Sequence, residues 1–180
     1  MSSAPNLISA PLVILRRVTP EDAASLFRLA ADPEVMRFMD WPTPMDATAI
    51  RSNLESASVA WESGEEYQWV ILDPHARDMA GTIAIRPKGH AADFGYFLGR
   101  EFWGRGLAFA AATALLSWLD SQSHILRIWA TVDFENARSR RLLERLGLEL
   151  EGVMRCATFR PNIGGLPRDT AIYARTRTAA

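Results

Sequence analysis

A glycine-containing segment in the second half of the chain constrains the fold more than any other feature. Residues 93–98 have the composition of a strand, 104–120 carry apolar residues at helical spacing, and 125–132 form an apolar strand. A strand–helix–strand unit of this length joins two parallel strands through a right-handed crossover. The sequence therefore predicts a sheet that contains a parallel pair, with a helix packed against it.

The remaining patterns predict a single α+β domain over residues 12–177, preceded by a loose tail over 1–11. Its largely antiparallel mixed sheet is expected to have about six or seven strands, flanked by about four helices. Three successive strands in the middle of the chain indicate an antiparallel meander. The predicted strands are 12–15, 67–72, 81–85, 93–98, 125–132, 149–159 and 169–177. The predicted helices start at Thr19, near residue 46, at Gly104 and at Asn136.

Composition and charge narrow the functional class. The 180 residues are 48% hydrophobic and carry a net charge of -1, which argues against a nucleic-acid binder that works through a basic surface. The single cysteine excludes an internal disulfide, and the three histidines lack the spacing of metal ligands. The chain has neither a long apolar run nor the pattern of a signal peptide. We therefore expect a cytoplasmic protein that needs no metal and contacts no membrane.

The turn after residues 93–98 has the composition of a phosphate-binding loop. Gly104, Gly106 and Ala108 allow a ligand to approach the backbone closely. The first N–H groups of the following helix lack intrahelical partners, and such a helix start binds phosphate or pyrophosphate. The alternative is that the glycines only permit tight packing of strand and helix. The loop is neither a P-loop, which needs Lys and Ser or Thr after its last glycine, nor a dinucleotide motif, which follows the first strand.

The segment 102–108 resembles the acyl-coenzyme-A (acyl-CoA) binding signature of the GNAT N-acetyltransferases, Gln/Arg-x-x-Gly-x-Gly/Ala. Gly106 and Ala108 match its small positions, whereas Trp103 replaces the usual Gln or Arg. The run Phe-Trp-Gly-Arg-Gly is similar to the Tyr-Trp-Gly-Lys-Gly of one branch, the ribosomal-protein N-terminal acetyltransferases of the RimJ/RimL type. Further similarities to this branch follow in the same order along the chain: Leu15-Arg16 with Pro20-Glu21-Asp22, Asp32-Pro33-Glu34-Val35-Met36, Asp93-Phe94-Gly95-Tyr96, Asn136-Ala137-Arg138-Ser139, Leu146-Gly147-Leu148, Gly152-Val153-Met154-Arg155, and Arg168-Asp169 with Tyr173.

The resemblance implies an enzyme in which an amine attacks the thioester of acetyl-CoA, the cosubstrate. The backbone of residues 104–108 would hold the pyrophosphate, with added charge from Arg105. The pantetheine arm would lie along 93–98, in a gap next to 125–132, where the N–H of Phe97 or Leu98 would bind the thioester oxygen. The full set of implied cofactor-binding residues is Phe97, Leu98, Trp103, Gly104, Arg105, Gly106, Leu107, Ala108 and Asn136.

Ser139 is the predicted hydrogen-bond donor to the departing thiolate. Many family members carry a tyrosine for this purpose seven residues after the asparagine, but Leu143 occupies that position here. The RimJ/RimL-type branch resembles this chain in having a serine at position 139. Asn136 has two interpretations, as a helix N-cap and as a hydrogen-bonding partner of the pantetheine arm.

Asp93 is the leading candidate for the general base, acting directly or through water. It stands at the start of a strand where the family often has a glutamate. The alternatives are Glu65 and Glu66, which precede a neighbouring strand, and a solvated position at the strand entry would explain Asp93 equally well. An α-amine with a pKa near 7.8 would need less help from a base than a lysine amine near 10.4.

The acceptor, a protein N-terminus or a small-molecule amine, is expected between residues 33–63 and the loop 160–168. The four arginines between 138 and 145 form either a solvated face or a contact to the 3′-phosphate-ADP end of the cosubstrate. An exposed strand edge near 149–177 could pair two chains as a homodimer. Two other functions remain open: a non-catalytic acyl-CoA-binding regulatory module, and a nucleotide-binding protein that uses the glycine loop.

Overall fold

Eight strands form one mixed sheet in the computed structural model, which describes residues 4–76 and 78–177. They are β1 (Leu7–Ala10), β2 (Val13–Arg17), β3 (Tyr67–Asp73), β4 (Asp78–Lys88), β5 (Ala91–Leu98), β6 (Arg127–Asp133), β7 (Glu149–Thr158) and β8 (Arg168–Thr176). Across the sheet the order is β1-β2-β3-β4-β5-β6-β8-β7. Only β5 and β6 are parallel. The predicted α+β class is confirmed, with eight strands in place of six or seven.

Strand β1 corrects the expectation of a loose tail over residues 1–11. Leu7 to Ala10 pair with the first four residues of β2 in a tight antiparallel hairpin. The preceding segment is also anchored, because the indole nitrogen of Trp69 donates to the Pro5 carbonyl at 2.9 Å and Ala4 is buried. A strand of four residues is too short to show a recognisable alternation of apolar and polar residues. Hydrogen bonding to the edge of β2 is what makes these residues a strand. Residues 1–3 lie outside the described part of the chain.

The described residues also form five helices around the sheet. They are α1 (Ala23–Ala30), α2 (Pro33–Met36), α3 (Ala47–Ser63), α4 (Leu107–Asp120) and α5 (Ala137–Arg145). Side-chain caps explain where several of them begin: the Asp46 carboxylate accepts the Ala49 N–H at 2.9 Å at the start of α3. The predicted start at Thr19 is a 3-10 turn, Pro20–Asp22, that leads into α1. No helix among the described residues is long and apolar enough to cross a membrane.

An aromatic cluster fixes α3 and α4 against β3. Trp69 on β3 is fully buried, with its ring centroid 5.0 Å from Trp61 of α3 and 6.0 Å from Trp118 of α4. Tyr67 completes the cluster with an edge-on contact to Trp61. Large aromatic side chains in this geometry contribute much of the core's burial energy. The helices that flank the glycine loop and the acceptor region are thereby held on one rigid sheet.

The predicted strand–helix–strand crossover is confirmed, and the two parallel strands separate soon after they meet. The pairing of β5 with β6 covers only Ala91 to Asp93 opposite Arg127 to Trp129. Beyond this point β5 continues to pair with β4 on its other side, up to Leu98. The result is a V-shaped gap in the middle of the sheet, open toward the N-terminus of α4.

The last two strands do not follow chain order across the sheet. Strand β8 inserts between β6 and β7, so that β7 becomes the outer edge. Leu150, Val153 and Met154 on β7 are exposed, at 48%, 39% and 41% of their surface. The predicted exposed edge near 149–177 is therefore β7.

Candidate active site

A cavity of about 990 Å³ opens where β5 and β6 diverge. Both strands form its walls, together with the first turn of α5 and residues of the segment 34–54. Residues 104–108 are outside this lining, and Trp103 connects them to it. The structure thus gathers a large part of the predicted site around one cavity: Asp93, Phe97, Leu98, Trp103, Asn136 and Ser139.

The backbone of β5 distinguishes the two predicted oxyanion donors. The Gly99 N–H donates to the Ala80 carbonyl at 2.9 Å, so Gly99 faces β4. Backbone groups of successive residues in an antiparallel ladder point to opposite sides, and the register between β4 and β5 is regular. The backbone N–H of Phe97 therefore also points toward β4, whereas the N–H of Leu98 points into the gap. Of the two predicted donors, it is therefore the Leu98 N–H that could donate to a thioester oxygen in the gap. Phe97 contributes its side chain to the cavity wall.

The two glycines of the loop are required by backbone conformation. Gly104 and Gly106 have φ angles of 75° and 80°, in the left-handed region that favours glycine. A Cβ atom at either position would meet nothing within 4 Å. The alternative of tight strand–helix packing is therefore wrong, because the space beside both glycines is open. The loop has room for a ligand close to its backbone.

Helix α4 begins at Leu107, three residues later than predicted. Its first intrahelical bond runs from the Ala110 N–H to the Gly106 carbonyl at 3.0 Å. The N–H groups of Leu107, Ala108 and Phe109 consequently have no partner within the helix. They carry the positive end of the helix dipole toward the mouth of the gap. A pyrophosphate fits this arrangement, because both the dipole and the free donors favour an anion.

Arg105 anchors the loop to β3. Its Nη2 donates to Oδ2 of Asp73 at 2.5 Å, and the Asp73 side chain has no solvent-accessible surface. Burial alone would raise the pKa of Asp73. Hydrogen bonds from the backbone of Ala76 and His75 and the charge of Arg105 outweigh burial and hold that pKa below its ordinary value. The guanidinium that was expected to add charge beside the pyrophosphate is thus committed in part to positioning the loop.

Trp103 connects the loop to both sides of the gap. Its indole nitrogen donates to the Leu98 carbonyl at 2.9 Å, at the end of β5. The Arg138 guanidinium of α5 lies 4.0 Å from the centre of a Trp103 ring. Arg145 makes the same kind of contact with Phe109 of α4, at 4.4 Å. These two arginines are therefore not simply a solvated face, because they join α5 to the loop and to α4.

Asn136 and Ser139 lie at the opposite wall, in the first turn of α5. The Asn136 Oδ1 accepts the Ser139 N–H at 3.1 Å, which confirms the N-cap interpretation of Asn136. The cap occupies the amide oxygen, and Asn136 also lines the cavity. The Ser139 hydroxyl lies within hydrogen-bonding distance of a second hydroxyl, that of Tyr96, at 3.3 Å.

Tyr96 is a candidate site residue that the sequence interpretation missed. It belongs to β5, lines the cavity, and reaches Ser139 across the gap. Burial raises the pKa of its phenol, and the bond to Ser139 and the charge of Arg138 only partly offset this. The phenol therefore stays protonated as a donor at neutral pH. The sequence contained a signal for the position of Tyr96: it follows Phe94 by two residues, and the alternation of a strand puts both side chains on one face of the sheet.

Asp93 lies at the apex of the gap, where the pairing of β5 with β6 ends. Its Oδ2 accepts from Nη2 of Arg86 at 2.5 Å and from Nε at 2.9 Å. Oε2 of Glu66 lies 3.8 Å from Nη1 of Arg86, and Glu66 also lines the cavity. Glu65 is not part of the cavity lining. Five residues of strand, roughly 17 Å, separate Asp93 from Leu98. No group of three or more His, Cys, Asp and Glu side chains in residues 4–76 and 78–177 is arranged to hold a metal ion.

The far end of the cavity is closed by contacts between two distant loops. The Asn162 Nδ2 donates to the carbonyls of Met36 and Trp41 at 2.7 and 2.9 Å. Its Oδ1 accepts the Thr43 N–H at 2.8 Å. The Trp41 ring in turn makes an edge contact with Phe97, at 6.2 Å between centroids. The two regions predicted to form the acceptor side, 33–63 and 160–168, are therefore joined above β5.

A free helix start next to a split parallel pair is the arrangement that the resemblance to the acyl-CoA-dependent acyltransferases implies for this chain. Comparisons with known proteins agree: residues 13–149 match the family model described as Acetyltransferase (GNAT) domain. The chain belongs to the GNAT acetyltransferase family. It is an N-acetyltransferase that uses acetyl-CoA as its cosubstrate and a primary amine as its acceptor.

Individual relatives agree with the predicted branch. The chain is 27% identical to the uncharacterized N-acetyltransferase YoaA of Bacillus subtilis, over 93% of this chain and 95% of that protein. It is 35% identical to the [ribosomal protein uS5]-alanine N-acetyltransferase of Escherichia coli, over 51% of this chain and 49% of that protein. The fold matches RimL, a ribosomal L7/L12 alpha-N-protein acetyltransferase solved with coenzyme A, at a TM-score of 0.85 and 21% identity over 97% of this chain and 99% of that one.

Proposed function

We propose that the gap between β5 and β6 holds the thioester of acetyl-CoA, and that the acceptor amine enters from the side closed by Asn162 and Trp41. The observation that carries this proposal is the orientation of the Leu98 N–H, which faces a gap that ends near the free N-terminus of α4. A pantetheine arm that starts from this helix end has one continuous path along β5. The cavity of about 990 Å³ is large enough for the arm and a small acceptor group.

The cosubstrate-binding residues divide into two groups. Backbone N–H groups of residues 104–108 bind the pyrophosphate, and the Arg105–Asp73 ion pair keeps their loop in place. Trp103 and Asn136 border the pantetheine arm from opposite walls. Arg138, held over Trp103, adds positive charge at the same end of the gap.

The reaction exchanges the carbon–sulfur bond of the thioester for a carbon–nitrogen bond. The neutral amine nitrogen bonds to the thioester carbonyl carbon, the carbon–sulfur bond breaks, a proton leaves the nitrogen for a base, and the thiolate takes up a proton from solvent after it has left. The Leu98 N–H stabilises the developing negative charge on the carbonyl oxygen. Loss of one such donor raises a barrier by roughly 3 kcal/mol.

Ser139 donates its hydroxyl proton in a hydrogen bond to the departing thiolate, and Tyr96 supports it. The Tyr96 hydroxyl donates to Ser139 Oγ, which leaves the serine proton free to point into the cavity. A thiol has an ordinary pKa near 8.5, so the thiolate leaves readily and a hydrogen bond is sufficient. Asp93 acts as the base through water molecules, because its distance from Leu98 rules out direct contact with an amine bound there.

The acceptor is a protein N-terminus or a small-molecule amine, as the names of the relatives suggest for their own reactions. A cytoplasmic location and the absence of nucleic-acid or membrane partners stay predictions.

We also propose a homodimer in which β7 of two chains meet, because this edge strand exposes Leu150, Val153 and Met154. Sedimentation velocity of a Val153→Lys variant tests the dimer: a monomer is expected, and an unchanged dimer contradicts the interface.

Calorimetric titration with acetyl-CoA, with ATP as control, tests the central proposal. We expect acetyl-CoA to bind and ATP not to bind. A thiol assay should then show release of free coenzyme A only when an amine is present. A folded protein that binds acetyl-CoA without amine-dependent release would favour the non-catalytic module, and one that binds only ATP would favour the nucleotide-binding alternative.

A further inference from the structure

Arg160 is buried in the wall of the cavity without a hydrogen bond to its Nε atom. The residue precedes the turn at 161–165, lines the cavity, and exposes only 7% of its side chain. Within the part of the chain that the structure describes, its buried Nε has no hydrogen-bond partner. A buried donor without an acceptor is costly, and a guanidinium presents five donors that cannot be neutralised.

The nearest carboxylate cannot satisfy Arg160. Asp133 Oδ2 lies 3.7 Å from the Arg160 Nε, which is beyond hydrogen-bonding distance. Both oxygens of Asp133 already accept from Arg168, at 2.7 and 3.1 Å, and Oδ1 also accepts the Glu135 N–H at 3.0 Å. Asp133 therefore balances the charge of Arg160 as an ion-pair partner, while the hydrogen bonds that it accepts come from Arg168 and from the Glu135 N–H. Among the described residues, the Nε is thus a buried donor without an acceptor, and the guanidinium to which it belongs lines the cavity that a substrate group would enter.

The position of Arg160 identifies the acceptor half of the cavity. It lies two residues before Asn162, which fastens this loop to the carbonyls of Met36 and Trp41. Trp41 contacts Phe97, next to the Leu98 N–H that faces the thioester position. The phosphate-binding loop lies at the other end of Trp103, outside the cavity lining. Arg160 therefore lies near the acceptor.

We propose that Arg160 binds a carbonyl or carboxylate oxygen of the acceptor, and hence that the acceptor is an α-amino acyl compound: a free amino acid or the first residue of a peptide. This inference rests on the proposed function of the cavity. A planar guanidinium suits the oxygens of an acyl group, to which it donates charge-assisted hydrogen bonds. A polyamine offers no acceptor atom and would bring a second positive charge against Arg160.

Three amines that share a methyl-bearing α-carbon test the proposal. Alaninamide carries the carbonyl oxygen, but-3-yn-2-amine has an amine of about the same basicity but no oxygen, and alanine carries a carboxylate and a more basic amine, so that its kcat/KM is compared per neutral amine. The readout is kcat/KM for coenzyme A release, in the wild-type protein and in Arg160→Met. Arg155→Met, an exposed arginine on β7 outside the cavity, is the matched control.

We expect wild-type protein to prefer alaninamide or alanine to but-3-yn-2-amine by about tenfold or more, and Arg160→Met to abolish that preference through KM. Arg155→Met should keep it. A preference for alanine identifies a free amino acid as the source of the oxygen, and one for alaninamide identifies a peptide. The proposal would be overturned if Arg160→Met lowered kcat/KM by the same factor for all three amines. It would also be overturned if the wild-type protein showed no preference among them.

Two further measurements separate this proposal from the proposed function. If Arg160→Met does not bind acetyl-CoA in a calorimetric titration, Arg160→Lys replaces it and the wild-type preference decides. A wild-type protein that acetylates all three amines equally overturns only the role of Arg160. A wild-type protein that binds no acetyl-CoA overturns the proposed function itself.

Discussion

The Tyr96 hydroxyl lies 3.3 Å from Ser139 Oγ, across the gap between β5 and α5. The two residues are on opposite walls of the cavity and are 43 positions apart in the chain. Leu143, at the position of the tyrosine found in many relatives, is almost fully buried in the core. A phenol is therefore present beside Ser139, the proposed donor to the thiolate, but it comes from the strand that carries the proposed oxyanion donor. The two hydroxyls form one donor system.

Removal of the Ser139 hydroxyl should lower turnover more than cosubstrate affinity. For Ser139→Ala we expect kcat to fall by about tenfold to a hundredfold, at or below the lower end of the range for full proton transfer, because Ser139 supplies only a hydrogen bond. Tyr96→Phe should give a smaller loss, and the double variant little more than Ser139→Ala alone, because the hydroxyls act in series. Ser56→Ala, on the exposed side of α3, is the control. Unchanged kcat in Ser139→Ala would leave the serine hydroxyl with a structural role only, as the partner of Tyr96.

A negatively charged side chain in the glycine loop should abolish cosubstrate binding. Gly106→Glu places charge and bulk where the pyrophosphate approaches, in space that is otherwise open. Gly147→Glu is a matched control: Gly147 has a φ of 79° and the same open space, and it follows α5 outside the cavity lining. Both variants should lose about 1 kcal/mol of stability from backbone strain, but only Gly106→Glu should lose acetyl-CoA binding in a calorimetric titration. Equal affinities would contradict the loop assignment.

Loss of the Asp73 charge should loosen the phosphate-binding loop. We expect Asp73→Asn to lower the urea midpoint at pH 7 and to raise the Kd for acetyl-CoA several-fold, because Arg105 loses its buried partner. Asp78→Asn, in a half-exposed ion pair with Arg28, is the control and should change neither quantity much. If Arg105 instead acts only on the pyrophosphate, Asp73→Asn should leave Kd unchanged or lower it.

The stability from Asp73 should depend on pH in a defined direction. Its folded-state pKa lies below the ordinary value of 3.8. The carboxylate therefore contributes stability that is fully present above that ordinary value and is lost as pH falls through the lowered folded value. The difference in urea midpoint between wild type and Asp73→Asn should persist from pH 8 to about pH 5 and shrink in stronger acid. A difference that grows as pH falls would have the wrong sign.

A base that acts through water should matter most for strongly basic acceptors. We expect Asp93→Asn to lower kcat/KM at pH 7 by about tenfold for a lysine-type amine and less for an α-amine, which is already partly neutral. Glu65→Gln lies outside the cavity lining and is the control, and Glu66→Gln tests the second candidate. An unaffected Asp93→Asn together with an impaired Glu66→Gln would transfer the role to Glu66.

Local patterns in the sequence determined the middle of this fold. The strand composition of 93–98, the helical spacing over 104–120 and the apolar run at 125–132 are properties of neighbouring residues, and they were sufficient to predict the parallel crossover. The left-handed turns at Gly104 and Gly106 are equally local, because only glycine adopts them without strain. The phosphate-binding loop and the family resemblance could therefore be predicted from the sequence alone.

Tertiary structure decided which side chains meet. Arg105 meets Asp73 across 32 positions, and Arg160 comes to 3.7 Å from Asp133, which already accepts hydrogen bonds from Arg168. Tyr96 finds Ser139 only because β5 and β6 separate after three residues of pairing. Such contacts depend on strand order, register and the divergence of the sheet. These are cooperative properties of the packed domain, and no periodicity within a short window encodes them.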